Sequence, residues 1–139
     1  MFDTYTIKGD KVVVARLRDV LDAPMAVKLV EFIEIKEAEI ETGFDRFCDL
    51  THLDGIRLST ADIVALANRR RAFTPNDIHV KSAFWATDPL GFGIARMYEQ
   101  LLNSPRIEVR VWGDKQAAAD WIGIKLDGTT RSSLVSFAG

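Results

Sequence analysis

Apolar and polar residues alternate along Thr4–Lys8, and Val12–Leu17 follows as a run richer in β-branched side chains, with Gly9-Asp10 between them. Period-two alternation marks a half-buried strand, and glycine with aspartate supplies turn chemistry, so the two runs predict a hairpin. The period then lengthens. Asp22–Glu41 sets Val27, Leu29, Val30 and Ile33 on one side and Glu31, Glu34, Glu37, Glu39 and Glu41 on the other. This spacing predicts a helix with Asp22 as N-cap, Pro24 in the first turn and Gly43 as its stop. The glutamates read as its solvated face, with an acidic partner-binding face as the alternative.

Phe44–Leu50 is apolar enough for a core strand and runs on into Thr51-His52-Leu53-Asp54-Gly55-Ile56. Ser59 lies three residues before Asp62, so its hydroxyl can cap a helix start while the carboxylate reaches back. The helix predicted over Thr60–Phe73 turns Ile63, Val64, Leu66 and Ala67 inward. Arg69-Arg70-Arg71 fall in its last turn, where positive charge complements the helix dipole. Anion binding by that triplet is the alternative. Ile78–Leu102 reads as a buried strand, a tight junction at Thr87-Asp88-Pro89, and a helix that begins with Gly91 and Gly93. Ser104-Pro105 ends that helix, Ile107–Trp112 alternates as a strand, and Gly113-Asp114 leads into a short helix over Lys115–Ile122. The order β-β-α-β-α-β-α-β-α predicts an α/β fold with a mostly parallel sheet and an N-terminal antiparallel hairpin strand. Residues 1–124 are expected to form a single domain and residues 125–139 a polar C-terminal tail.

Composition narrows the function. A chain of 139 residues with net charge −2 gives no electrostatic pull toward nucleic acid or anionic lipid. The one cysteine, Cys48, excludes an internal disulfide and reads as a buried core thiol. The N-terminus lacks the pattern of a signal peptide, and no window is long and apolar enough for an integral membrane segment. A cytoplasmic protein is the expectation.

In an open parallel sheet, binding crevices lie beyond the carboxyl ends of the strands. Asp49 and His52, Asp88, and Asp114 collect at three such exits. Asp88 precedes Pro89 and Asp114 precedes Lys115, so both read first as helix caps. Asp49 is open between orienting its loop, capping locally and binding a partner. His52 has no second histidine or cysteine at ligand spacing, so no metal is implied. Ser59, His52 and Asp54 have the residue types of a triad but not the spacing of a nucleophile elbow. No catalytic set and no cofactor are implied. Gly91 and Gly93 are expensive inside a helix, which points to close packing on the sheet or a second subunit. A phosphate cradle is the weaker alternative, because the third glycine and the lysine of phosphate loops are missing.

The segments Ala83-Phe84-Trp85, Asp88-Pro89-Leu90-Gly91-Phe92-Gly93-Ile94-Ala95-Arg96-Met97-Tyr98-Glu99, Val109–Asp114 and Asp120-Trp121-Ile122 resemble the SpoIIAA-like family of small bacterial proteins, often labelled STAS/SEC14-domain proteins. The resemblance covers the chain from about Thr4 to Gly123. It implies the compact α/β fold shared by anti-sigma-factor antagonists and CRAL-TRIO-like Sec14 domains, and it implies no settled activity. The antagonists carry a phosphorylatable serine in an Asp-Ser-Ser-Gly motif. The matching place here is Leu58-Ser59-Thr60-Ala61, where the motif is absent, so Ser59 is a cap first and a phosphosite second. The chain is too short for the large Sec14 lipid cavity, leaving room only for a shallow apolar groove.

Two functions follow as expectations. One is a non-enzymatic regulatory or protein-interaction domain, dimeric through its glycine-bearing helix. The other is a carrier of a small apolar or anionic ligand at a rim formed by Asp49, His52, Ser59, Asp88, Gly91, Gly93 and Arg96. Arg96 discriminates between them: facing the rim it would pair with an anion, whereas paired to Glu99 or Asp88 it is structural.

Overall fold

The computed structural model describes residues 1–73 and 78–125, and the backbone of 131–137. The elements in chain order are β1 (Phe2–Ile7), β2 (Val12–Asp22), α1 (Ala23–Glu39), β3 (Asp45–Arg57), α2 (Thr60–Ala72), β4 (Val80–Trp85), α3 (Pro89–Leu102), β5 (Ile107–Trp112), α4 (Lys115–Ile122) and β6 (Arg131–Phe137). They form one sheet in the order β5-β4-β3-β2-β1-β6. The hairpin of β1 and β2 is antiparallel, turning through Lys8 and Gly9, which both have positive φ. β2, β3, β4 and β5 run parallel to one another. The expected α/β fold is therefore the observed one. The C-terminal segment differs: where a polar tail was expected, β6 pairs antiparallel with β1. Residues 126–130 and 138–139 lie outside the described residues, as does Pro75.

Two cores flank the sheet. Phe2, Val13, Leu17, Phe32, Phe44 and Cys48 belong to the core beneath α1 and α2. Tyr5, Ile7, Val14, Phe47, Ala83 and Ala118 belong to the core beneath α4. Val13 and Val14, like Phe47 and Cys48, are sequence neighbours sent to opposite faces, as the period of a strand requires. Strands buried on both sides explain why these runs are continuously apolar.

The helix starts follow their cap residues. Asp22, Ser59, Asp88 and Asp114 each accept a hydrogen bond from a backbone N–H of the first turn. At Ser59 the box is complete: Asp62 N donates to Ser59 Oγ at 3.1 Å, and Ser59 N donates to Asp62 Oδ2 at 2.9 Å.

β2 and β3 are longer than their apolar runs. Beyond Leu17 and Asp49 they continue as a two-stranded parallel ribbon, Arg18–Asp22 against His52–Arg57, with register shifts along the way. Leu21, Leu53 and Ile56 of this ribbon fold over the end of the α1–α2 core.

Candidate functional site

The polar and charged residues of the expected rim each have a local partner. Asp49 is buried, and its Oδ1 accepts from Thr51 N at 2.8 Å and from Thr51 Oγ1 at 2.6 Å. Its Oδ2 lies 3.6 Å from Arg16 Nε and 3.4 Å from His52 Nε2. This carboxylate thus fixes the point where β3 carries an extra residue opposite β2, between the pairs Arg16–Asp49 and Arg18–His52. Asp88 accepts from Gly91 N at 3.2 Å as the α3 cap. Arg96 donates to Glu99 at 2.9 Å along the exposed side of α3, which is the structural arrangement. Gly91 is buried, and a Cβ there would sit 3.7 Å from both Ala86 Cβ and Ile56 Cδ1, an ordinary contact. Gly93 is exposed, with nothing within 4 Å of an added Cβ. His79 is exposed and lies just ahead of β4. Among the described residues, no group of three metal-ligating side chains converges.

The larger opening lies inside the molecule. Between the sheet and α1, α2 and α3 there is a cavity of about 130 Å³. Leu21, Leu50, Ile56 and Leu58 line one end, where the parallel strands exit. Arg46, Ser82 and Ile107 line the other, where those strands begin, with Arg70 and Tyr98 reaching in from the helices. This space is partly open to solvent, with apolar walls and a polar end.

That polar end is a buried charge cluster. Glu37 Oε2 accepts from Arg46 at 3.1 Å and from Arg70 at 2.6 Å. Arg46 also donates to Phe44 O at 3.3 Å, and its guanidinium lies 4.4 Å from the centre of the Phe44 ring. Glu34 takes two hydrogen bonds from exposed Arg69, at 2.7 and 3.2 Å, and approaches Arg70 only to 3.5 Å. Burial holds the Arg46 guanidinium below its ordinary value, Glu37 opposes that, and the like charge of Arg70 adds to it. Burial also pulls Arg70 down, but Glu37, Tyr98 and Glu34 outweigh it. The Tyr98 phenol is pushed up by burial against the pull of both arginines. Cys48, also on the cavity wall, is pushed up by burial and by neighbouring Asp49.

The glutamates of α1 are therefore not all solvated, and the arginine triplet does more than face a helix dipole. The sequence held a signal for this. Arg70 occupies the next place of the buried stripe Ile63, Ala67, Arg70, and Arg46 interrupts the apolar run Phe44–Leu50. A charged residue at an inward position implies a buried partner.

No family model matches the chain, and no curated protein does. Among solved structures, it is similar to an uncharacterized protein of the DUF3478 family with a SpoIIAA-like fold from Shewanella loihica PV-4. The two share 19% identity over 88% of this chain and 92% of that one, with a TM-score of 0.57. The fold of this chain is SpoIIAA-like.

Proposed function

We propose, with the SpoIIAA-like fold as premise, that this chain is a regulatory domain that acts by binding, and that its ligand is a small apolar molecule held between the sheet and α1–α3. The supporting observation is the apolar-walled cavity of about 130 Å³ between the sheet and the helices, partly open to solvent. Protein interiors leave few voids larger than a water molecule. The ligand site thus moves inward from the strand-exit rim, whose aspartates and Arg96 are engaged locally. A protein partner in the cytoplasm would read the filled state.

The test is a titration of ¹⁵N-labelled protein with benzyl alcohol. Amide shifts confined to residues bordering the cavity are expected. Ala95 is buried on the cavity wall, and Ala95→Leu should fill the space and abolish those shifts. A wild-type spectrum unchanged up to the solubility of the alcohol rejects the reading.

A homodimer through α3 is a second reading. Leu90 is 53% exposed one turn from exposed Gly93, so this face offers an apolar side chain beside a place of close approach. Sedimentation equilibrium at micromolar concentration tests it, and a monomer throughout rejects it.

A further inference from the structure

The polar end of the cavity names the chemistry of its occupant. Arg70 is 3% exposed and Arg46 8% exposed, and both line the cavity. Their guanidinium groups converge on one oxygen, Glu37 Oε2, which lies at hydrogen-bond distance from each. Among the described residues, Arg46 Nε and Arg70 Nη1 have no hydrogen-bond partner. Glu34, the other carboxylate nearby, accepts its two hydrogen bonds from Arg69 and meets Arg70 Nη1 as a longer ion pair, at 3.5 Å. Glu37 Oε1 is also unpaired, but Glu37 borders a separate space of about 40 Å³ on the other side of Arg46. The large cavity is therefore bordered by two buried cations that share Glu37 Oε2, each with one N–H unpaired among the described residues.

Buried donors without acceptors are strongly disfavoured, and bonds from a guanidinium to a carboxylate are among the strongest available. The remaining walls are almost wholly apolar. An occupant that satisfies both must carry one anionic group and a compact apolar body. Size bounds the body: an apolar cavity of about 150 Å³ accommodates benzene. A space of about 130 Å³ thus suits a monocyclic or short-chain acid and excludes a long acyl chain unless the helices part.

We propose that the interlayer cavity is a site for a small apolar monocarboxylate, its carboxylate taken by Arg70 and Arg46 and its body lying along the Cys48 and Phe84 side of the sheet. This rests on the reading of the cavity as a ligand site and adds the charge of the ligand to it. The experiment compares benzoate with benzyl alcohol, its neutral near-isostere, by calorimetry and amide shift mapping on the intact chain at neutral pH. Benzoate is expected to bind at least about tenfold more tightly, the scale of a charge-assisted hydrogen bond. Arg70→Met and Arg46→Met should each bring that ratio toward one, and Arg70→Lys should restore part of it. Equal affinity of the wild type for the two compounds overturns the carboxylate assignment while leaving the cavity reading intact. Binding of neither overturns both. A preference for benzoate whose shifts map away from the cavity also overturns the assignment. The wild-type comparison decides even where an arginine variant fails to fold.

Discussion

Replacing Glu37 by Gln tests the buried cluster most directly. The change keeps the shape of the side chain and removes the carboxylate bonded to both Arg46 and Arg70. The three side chains are 11%, 10% and 3% exposed, so water cannot take over the lost charge. Removing one partner of a buried ion pair typically costs about 3–5 kcal/mol, because the other charge is left uncompensated. Arg46 loses its carboxylate partner and Arg70 keeps Glu34 at 3.5 Å, so a cost within that range is expected. For a chain of this size it lowers the melting temperature by roughly 10–20 °C. Urea denaturation followed by circular dichroism measures it, provided the slope of free energy against urea is unchanged. Arg69→Ala is the internal control. Arg69 is 40% exposed in its pair with Glu34, so its loss should cost less than about 1 kcal/mol. Replacing Glu37, Arg46 and Arg70 together by Met should recover most of the stability, since apolar side chains of similar volume often equal or exceed a buried ion cluster. A cost under about 1 kcal/mol for Glu37→Gln would refute the reasoning. The cluster would then be hydrated, and the two unused N–H groups would need no ligand.

Three further expectations follow from the geometry. Ser59→Ala removes the hydroxyl that accepts from Asp62 N and should cost about 1 kcal/mol in urea denaturation; no loss would mean that the box does not hold the start of α2. Two glycines should respond oppositely to alanine. Gly93→Ala meets open space and should stabilise by about 0.4–1 kcal/mol. Gly43→Ala should destabilise by more than the ~1–2 kcal/mol of left-handed backbone, because Gly43 has φ +82° and the new Cβ would run into Ile78 Cγ2. Stability should also fall at alkaline pH. Cys48 and Tyr98 have folded-state values raised above their ordinary 9.0 and 10.0, so the unfolded chain loses those protons first. Their contribution is complete below pH 9.0 and declines as pH rises past 9.0 and then 10.0. Cys48→Ala should flatten the first part of the decline and Tyr98→Phe the second; unchanged profiles would place both groups in water.

Much of the fold was legible because the chain marks its corners locally. Asp22, Ser59, Asp88 and Asp114 could be read as caps from position alone, since a cap is a contact between residues three apart. β6 was not legible: Arg131–Phe137 becomes a strand through pairing with the distant edge of β1. The charge cluster fell between these cases. Arg70 continues a helical stripe that stays inside one segment, but Glu37 and Arg46, which complete the cluster, belong to two other elements. The rim was argued from a general rule about parallel sheets. In this molecule the strand-exit aspartates are used in building corners, and the open volume lies beneath the helices instead.

The ribbon of Arg18–Asp22 against His52–Arg57 has a kinetic consequence. Two parallel strands without further neighbours are weakly held, and segments of that kind open locally well before the whole molecule unfolds. Leu21 and Ile56 belong both to the ribbon and to the end wall of the cavity, so opening the ribbon would uncover that wall. Amide exchange in the ribbon should outpace that of Phe47 and Cys48, and the entry rate of any guest should scale with it.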